Sequence, residues 1–224
     1  MSPSSRTLFT LGCVAVLLCV NIHTCLAVAG IDLSYFQGDV SQASWNCLKQ
    51  SGKSFAVIQA QLGSGTINPY VANNIKRAKA AGIDYVDVYI FPDINRDPAE
   101  QVQATINFIN QNGAGNLFGE IWLDIEGPQY WTSNCNTNIA FLSKMVNAAR
   151  ATGHKVQIYT SASQWNPIMC GSTAFSGMQL WYAHYDSNPS FGDFSPFGGW
   201  SHPAIKQYQG TTSMCGTEVD LDFY

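Results

Sequence analysis

The chain has 224 residues, 46% of them apolar and only 12% charged, with a formal net charge of −4. That composition suits one ordered domain with a full core and excludes a disordered chain. No basic run occurs, so nothing would displace the counterions of a nucleic acid or an anionic membrane, and neither partner is expected. The polar surface is largely uncharged, as in proteins that handle sugars and small ligands.

The first element in chain order is a targeting segment. Arg6 precedes an apolar run of 13 residues from Leu8 to Val20, followed by small residues through Ala27 and Ala29. A bilayer span needs about 20 apolar residues, so the run reads as the core of a secretory signal. Residues 1–27 are expected to be removed, with cleavage after Ala27 or Ala29. Residues 28–224 then form one domain with 10 Lys/Arg, 15 Asp/Glu and a charge of −5. The expected location is extracellular, or the lumen of a lysosome or phagosome, with no membrane attachment after cleavage. Cys13, Cys19 and Cys25 leave with the signal. Cys47, Cys135, Cys170 and Cys215 remain, an even number that reads as two disulfides in an exported protein. Their spacings of 88, 35 and 45 fit no zinc motif, and neither a metal nor a cofactor is expected.

Short apolar or β-branched runs predict strands at 30–34, 54–61, 84–91, 120–126, 155–161, 179–185, 204–209 and 219–224. Ser41–Gln50 predicts a short helix after the first strand. Asn68-Pro69 opens a helix to Ala81 before Gly82, Asp97-Pro98 opens one closed by Gly113, and a third runs from Asn136 to Thr152 before Gly153. Proline just inside the start and glycine just past the end mark these boundaries. Alternating strands and helices imply a mainly parallel sheet with helices outside. Eight strands suggest closure into a barrel, but a full eightfold β/α barrel typically needs about 250 residues. The shortfall lies after the sixth strand, where segments such as 188–200 carry no helical pattern. An abbreviated TIM-like α/β barrel is expected. A doubly wound open sheet is the alternative, though no glycine-rich phosphate loop follows an early strand.

Strand parity places the chemistry. Side chains alternate between faces, so Trp122, Asp124 and Glu126 share one face, while Ile121, Leu123 and Ile125 suit the helix layer. Asp32 and Ser34 share a face in the first strand, and Asp220 and Asp222 in the last. Acids are disfavoured in strands and costly to bury together, so a structural reason for them is hard to find. At the C-terminal ends of barrel strands they mark the usual place of catalysis. Clustered acids without Cys or His ligands serve either a hard cation or glycoside hydrolysis. Tyr89, Phe91, Trp122, Tyr130, Trp131, Tyr159, Trp165, Trp181, Tyr185 and Tyr208 fall at strand ends or just beyond, and aromatic faces stack on sugar rings. Core packing is the better reading for Trp122 and Phe91. His154 and His202 read as structural; His184 alone reaches a plausible rim position.

Seven segments in order resemble glycoside hydrolase family 25, the Chalaropsis-type lysozymes, and most closely their secreted invertebrate and amoeboid members. They are Gly-Ile-Asp32-Leu-Ser with Gln37-Gly38, Val-Tyr89-Ile-Phe, Trp-Leu-Asp124-Ile-Glu126, Ile-Tyr159-Thr-Ser, Trp-Tyr-Ala-His-Tyr185, Gln207-Tyr208 and Val-Asp220-Leu-Asp-Phe-Tyr. The resemblance implies a monomeric muramidase acting on peptidoglycan, with an irregular barrel of five β/α units plus three strands and an antiparallel last strand. By position, Glu126 would be the general acid. Asp124 would hold the substrate's acetamido group or act as nucleophile, and Asp32 and Asp220 would complete the acidic floor. Tyr89 would assist, with Tyr159, Trp181, Tyr185 and Gln207 binding substrate. Two departures touch the subsites: Gln59-Ala-Gln61-Leu-Gly63 replaces a Lys-Ala-Thr-Glu-Gly-like run, and Ile90 stands where many members have His. A glycan-binding barrel without catalysis is the competing class, against which Glu126 argues. In a sequentially wound barrel the loops after strands four and five are neighbours, which pairs Cys135 with Cys170. Closure of the barrel then pairs Cys47 with Cys215.

Overall fold

A computed structural model describes residues 28–224. The expected signal segment, residues 1–27, lies outside the described residues. Eight strands close into one barrel in sequential order: β1 (Ala29–Leu33), β2 (Phe55–Gln61), β3 (Tyr85–Ile90), β4 (Glu120–Asp124), β5 (Lys155–Thr160), β6 (Leu180–Ala183), β7 (Ile205–Met214) and β8 (Thr217–Phe223). Neighbouring strands from β1 to β7 pair in parallel, and β8 runs antiparallel to both β7 and β1. Helices α1 (Gln42–Gln50), α2 (Val71–Ala80), α3 (Pro98–Gln111), α4 (Cys135–Ala151) and α5 (Ala162–Met169) follow the first five strands. Among the described residues, no helix is long and apolar enough to cross a membrane.

The period-2 pattern sorts side chains into two cores. Ile31, Leu33, Ala56, Ile58, Val88, Ile121, Leu123 and Ile125 point outward and pack with the helix faces. Phe55, Val57, Tyr89, Trp122, Tyr159, Trp181 and Ile205 fill the barrel itself. All seven residues of β2 are buried, as expected for a parallel strand covered on both sides. An aromatic-rich plug therefore occupies the interior, and the polar inward positions collect at the mouth.

Helix ends follow local chemistry where the residues allow it. Asp97 accepts hydrogen bonds from the backbone N–H of Ala99 and Glu100, and Pro98 needs none. Helix α2 starts at Val71 rather than at the expected Pro69, because Asn68 is occupied in a turn. Its side chain accepts from Tyr70 N–H and donates to the Gln59 carbonyl. Helix α5, between Ser161 at its N-cap and Cys170 and Gly171 at positive φ, has Pro167 inside it and was not expected from residue pattern alone. Strand β7 overruns its expected end at Gln209 by five residues, through two register shifts that let polar residues continue the ladder. The hairpin turns at Cys215 and Gly216, both at positive φ, which matches the right-handed strand twist.

Disulfides join Cys47 to Cys215 and Cys135 to Cys170. Neither member of the second pair lies in a strand-end loop as expected: Cys135 is the first residue of α4 and Cys170 caps α5. The two bridges close separations of 168 and 35 residues. Chain entropy makes them worth about 5 and about 4 kcal/mol as upper figures. Cys47→Ser is therefore expected to lower Tm a few degrees more than Cys170→Ser, read by calorimetry under non-reducing conditions. An equal or reversed order would show that strain or residual structure outweighs loop closure.

Candidate active site

Four carboxylates converge at the barrel mouth, each placed there by strand parity. Asp32 on β1 lies in register with Asp220 on the antiparallel β8. Two like charges at opposed strand positions cost stability unless other groups hold them. Asp124 ends β4, and Glu126 lies two residues on, the same parity carried past the strand because Ile125 N–H still bonds the Tyr159 carbonyl of β5. The chain then turns at Gly127, whose φ of 66° suits glycine, and its N–H is held by Gln164 Oε1. Trp131 Nε1 donates to the Glu126 carbonyl and fixes the loop from the far side.

Gln207 on β7 organises the floor. Its Nε2 donates to Asp32 Oδ2 at 2.6 Å and to Asp220 Oδ2 at 3.1 Å. Its Oε1 accepts from the hydroxyls of Tyr159 and Tyr185, both at 2.8 Å, so every polar valence of the amide is used within the site. Thr211, held in the left-handed region at φ 49°, aims its N–H at Asp220 Oδ1. Asp124 Oδ1 is buried and has no hydrogen-bond partner among the described residues.

Burial, joined by neighbouring acids for three of them, raises the proton affinity of all four acids. Burial, then Asp220, pushes Asp32 up to about 8. Burial first and Glu126 second hold Asp124 well above the carboxylate range. Glu126 is raised by burial and by Asp220, and Asp220 by burial. Tyr89 and Tyr159 are pushed up by burial and by the acids, so both remain hydroxyl donors. A carboxyl whose proton affinity is raised by burial and by neighbouring acids is suited to proton donation.

The cleft holds about 410 Å³ and is lined by all four carboxylates and by Tyr89, Tyr159, Trp181, Tyr185 and Gln207. It thus brings together every residue that the resemblance had marked for catalysis or substrate binding. Sequence reasoning missed Phe36, Thr211 and Glu218, which also line it. Phe36 is 86% exposed on a one-turn helix held by Ser34 and Gln37, a capping pattern legible in Ser-Tyr-Phe-Gln. Thr211 and Glu218 lie in the unforeseen extension of the last hairpin.

Most of the other aromatic residues expected near the mouth serve elsewhere. Trp122 is buried inside the barrel with its Nε1 on Asp87, and Trp165 packs under α5 against Phe175 and Trp200. Phe91 and Tyr130 meet edge to face outside the cleft lining. Gln59 and Gln61, the departures after strand two, brace the scaffold: Gln59 accepts from Tyr35 N–H, and Gln61 bonds Gln101 and Thr105 of α3.

The rim beside Tyr185 is tied down by Lys206, a fully buried cation on β7 whose Nζ contacts Asp186 and Asp193, each at 2.8 Å. His184 Nδ1 bonds Asp193 as well. His184, Asp186 and Asp193 are ligand types grouped within 4.8 Å, but the Lys206 ammonium already supplies the positive charge a metal would bring. These pairs hold Asp193 at about 2.

A family model described as Lysozyme-like protein 1 matches residues 25–208. "Probable GH family 25 lysozyme 2" of Dictyostelium discoideum is 45% identical over 199 residues, covering 88% of this chain and 91% of that one. "Probable GH family 25 lysozyme 4" of the same organism is 41% identical over the same coverage. Among solved structures, a bacterial lysozyme from Streptomyces coelicolor aligns with a TM-score of 0.71 at 25% identity, over 87% of this chain and 90% of that one.

Proposed function

The chain belongs to the family 25 glycoside hydrolases, the GH25 lysozymes, and on that premise we propose that Glu126 and Asp124 together cut the glycan of bacterial peptidoglycan. The bond is the β-1,4 link from N-acetylmuramic acid to N-acetylglucosamine. The observation that carries the reading is the convergence in one cleft of four carboxylates whose proton affinity is raised, with a buried Asp124 oxygen that no described donor serves.

In this reading Glu126 gives its proton to the glycosidic oxygen as the C1–O bond breaks. Asp124 Oδ1 accepts the N–H of the 2-acetamido group and turns the acetamido oxygen toward C1, where it forms the new bond and an oxazolinium ring. Glu126, now a carboxylate, takes a proton from water, which opens the ring and retains the anomeric configuration. Asp220 keeps the Glu126 proton in place until it is needed, and Asp32 and Gln207 hold the floor. Tyr185, 59% exposed at the rim, offers a ring face to the sugar. The two disulfides point to the exported route, with residues 1–27 as its signal and killing or digestion of bacteria outside the cell or in a lysosome as its use.

Purified protein should clear a peptidoglycan suspension and release muropeptides with N-acetylmuramic acid at the reducing end, identified by mass spectrometry. N-acetylglucosamine reducing ends would make it a different glycosidase, and wall binding without product would make it a lectin-like barrel. Charge sets the conditions. At −5 the domain is repelled by anionic walls, and the raised proton affinity of Glu126 favours acid. Lysis is expected to peak in mildly acidic, moderately salty buffer; an optimum above about pH 8 at low salt would contradict this.

A further inference from the structure

Beneath the cleft lies a fifth acid that the mechanism above does not use. Asp222 on β8 is fully buried and is not among the residues lining the cleft. Its Oδ1 accepts Trp181 Nε1–H at 2.9 Å. Its Oδ2 is buried and receives no hydrogen bond from any described donor. Asp32 stands opposite Asp220 in the β1–β8 pair, so Asp222, two residues on, is its diagonal neighbour on the same face, and each carboxyl acts on the proton affinity of the other. Two ionised carboxylates offer only acceptors to each other, so this pair can share a hydrogen bond only if one of them carries a proton.

The surroundings decide which. Asp32 already receives Gln207 Nε2–H and is 7% exposed at the cleft, whereas Asp222 is 0% exposed and has the single indole donor. Asp32 and Asp220 face Asp222 from β1 and β8, and Tyr208 of β7 lies within its field. Lys53, ahead of β2, feels the field of Asp222 but is itself largely desolvated and makes no ion pair with it. Among the described residues no cation forms an ion pair with Asp222.

We propose that Asp222 is a permanently neutral carboxylic acid whose Oδ2–H donates to Asp32, making it a positioning residue that orients Asp32 on the cleft floor. The donors then run in one sense, from Trp181 to Asp222, from Asp222 to Asp32, and from Gln207 to both Asp32 and Asp220. Burial and the neighbouring acids favour the same state, since both hold the Asp222 proton well above the carboxylate range. The functional consequence rests on the muramidase reading; the protonation state does not.

Two measurements test it. Asp222→Asn replaces the O–H donor by an N–H donor and keeps an oxygen for Trp181, so it should keep kcat within about threefold, while Asp222→Leu should lose about tenfold or more, the worth of a hydrogen bond to a charged or strongly polar partner. Infrared difference spectra at about pH 9, above the Asp32 titration, should contain a protonated-carboxyl C=O band in wild type that Asp222→Asn abolishes. A wild-type spectrum unchanged by Asp222→Asn at that pH would overturn the proposal, whatever the wall assay reports. So would Asp222→Leu with wild-type kcat, because a space-filling role would then suffice. If the band is lost on substitution but neither protein cuts peptidoglycan, the muramidase reading fails and the buried acid stands.

Discussion

Glu126→Gln is expected to fold like the wild type and to lose wall lysis by about 10²–10⁴-fold, the usual worth of a general acid. The amide is isosteric, and the Glu126 side chain makes no hydrogen bond to another described residue, so no structural contact is lost with the proton. The leaving oxygen would have to depart as an alkoxide. Asp124→Asn is expected to be comparably severe for a different reason. The Asn oxygen can still meet the acetamido N–H, but it no longer carries the charge that balances the oxazolinium ring. Circular dichroism and Tm should stay within a few degrees of wild type while kcat in the turbidity assay falls. Near wild-type lysis by purified Glu126→Gln would sink the catalytic assignment outright.

Asp32→Asn is expected to stabilise the protein at alkaline pH while it impairs lysis. The native carboxyl holds its proton up to about 8, against an ordinary value of 3.8. Between those values the folded state binds more protons than the unfolded one, so stability falls as pH rises. The favourable contribution is fully present below the lower value and is lost as pH climbs through the higher. Asp124 and Glu126 are shifted in the same direction and steepen the slope. Wild-type Tm should therefore be higher in mild acid than at about pH 8, and Asn at position 32 should flatten the curve. At that alkaline pH the variant should melt about 2–6 °C higher, at 2–4 °C per kcal/mol for a domain of this size. Identical pH profiles of Tm for the two proteins would show that the acids are not held against their charge. The same burial that costs stability raises the proton affinity of the catalytic groups, which is a trade-off commonly found at active sites.

What the amino-acid sequence determined by itself is what depends on neighbours along the chain. Alternation in Glu120–Glu126 places Asp124 and Glu126 on one face and Ile121, Leu123 and Ile125 on the other, because successive side chains on a strand point opposite ways. Asp97-Pro98 and the glycines after α2, α3 and α4 mark helix ends through local φ preferences and a side-chain cap. Strand count against length implies a shortened barrel, and the seven matched segments supply the antiparallel return. The tertiary structure alone decided what depends on partners distant in sequence. Helix α5 forms despite Pro167 because Trp165 is buried against Phe175 and Trp200, a packing gain that local propensity does not register. Strand β7 continues through polar residues because β8 pairs with them. Of ten aromatic residues at strand ends, core packing could be read from sequence for Trp122 and Phe91 alone. Yet of the other eight only Tyr89, Tyr159, Trp181 and Tyr185 line the cleft, since barrel closure chooses which ones face it. Gln207 becomes the hub only when β1, β5 and β8 bring Asp32, Tyr159 and Asp220 to its amide, and the charge state of Asp222 is set by burial against an acid 190 residues earlier in the chain. Hydrogen-bond donors and desolvation are counted in space, and only the folded barrel brings them within reach.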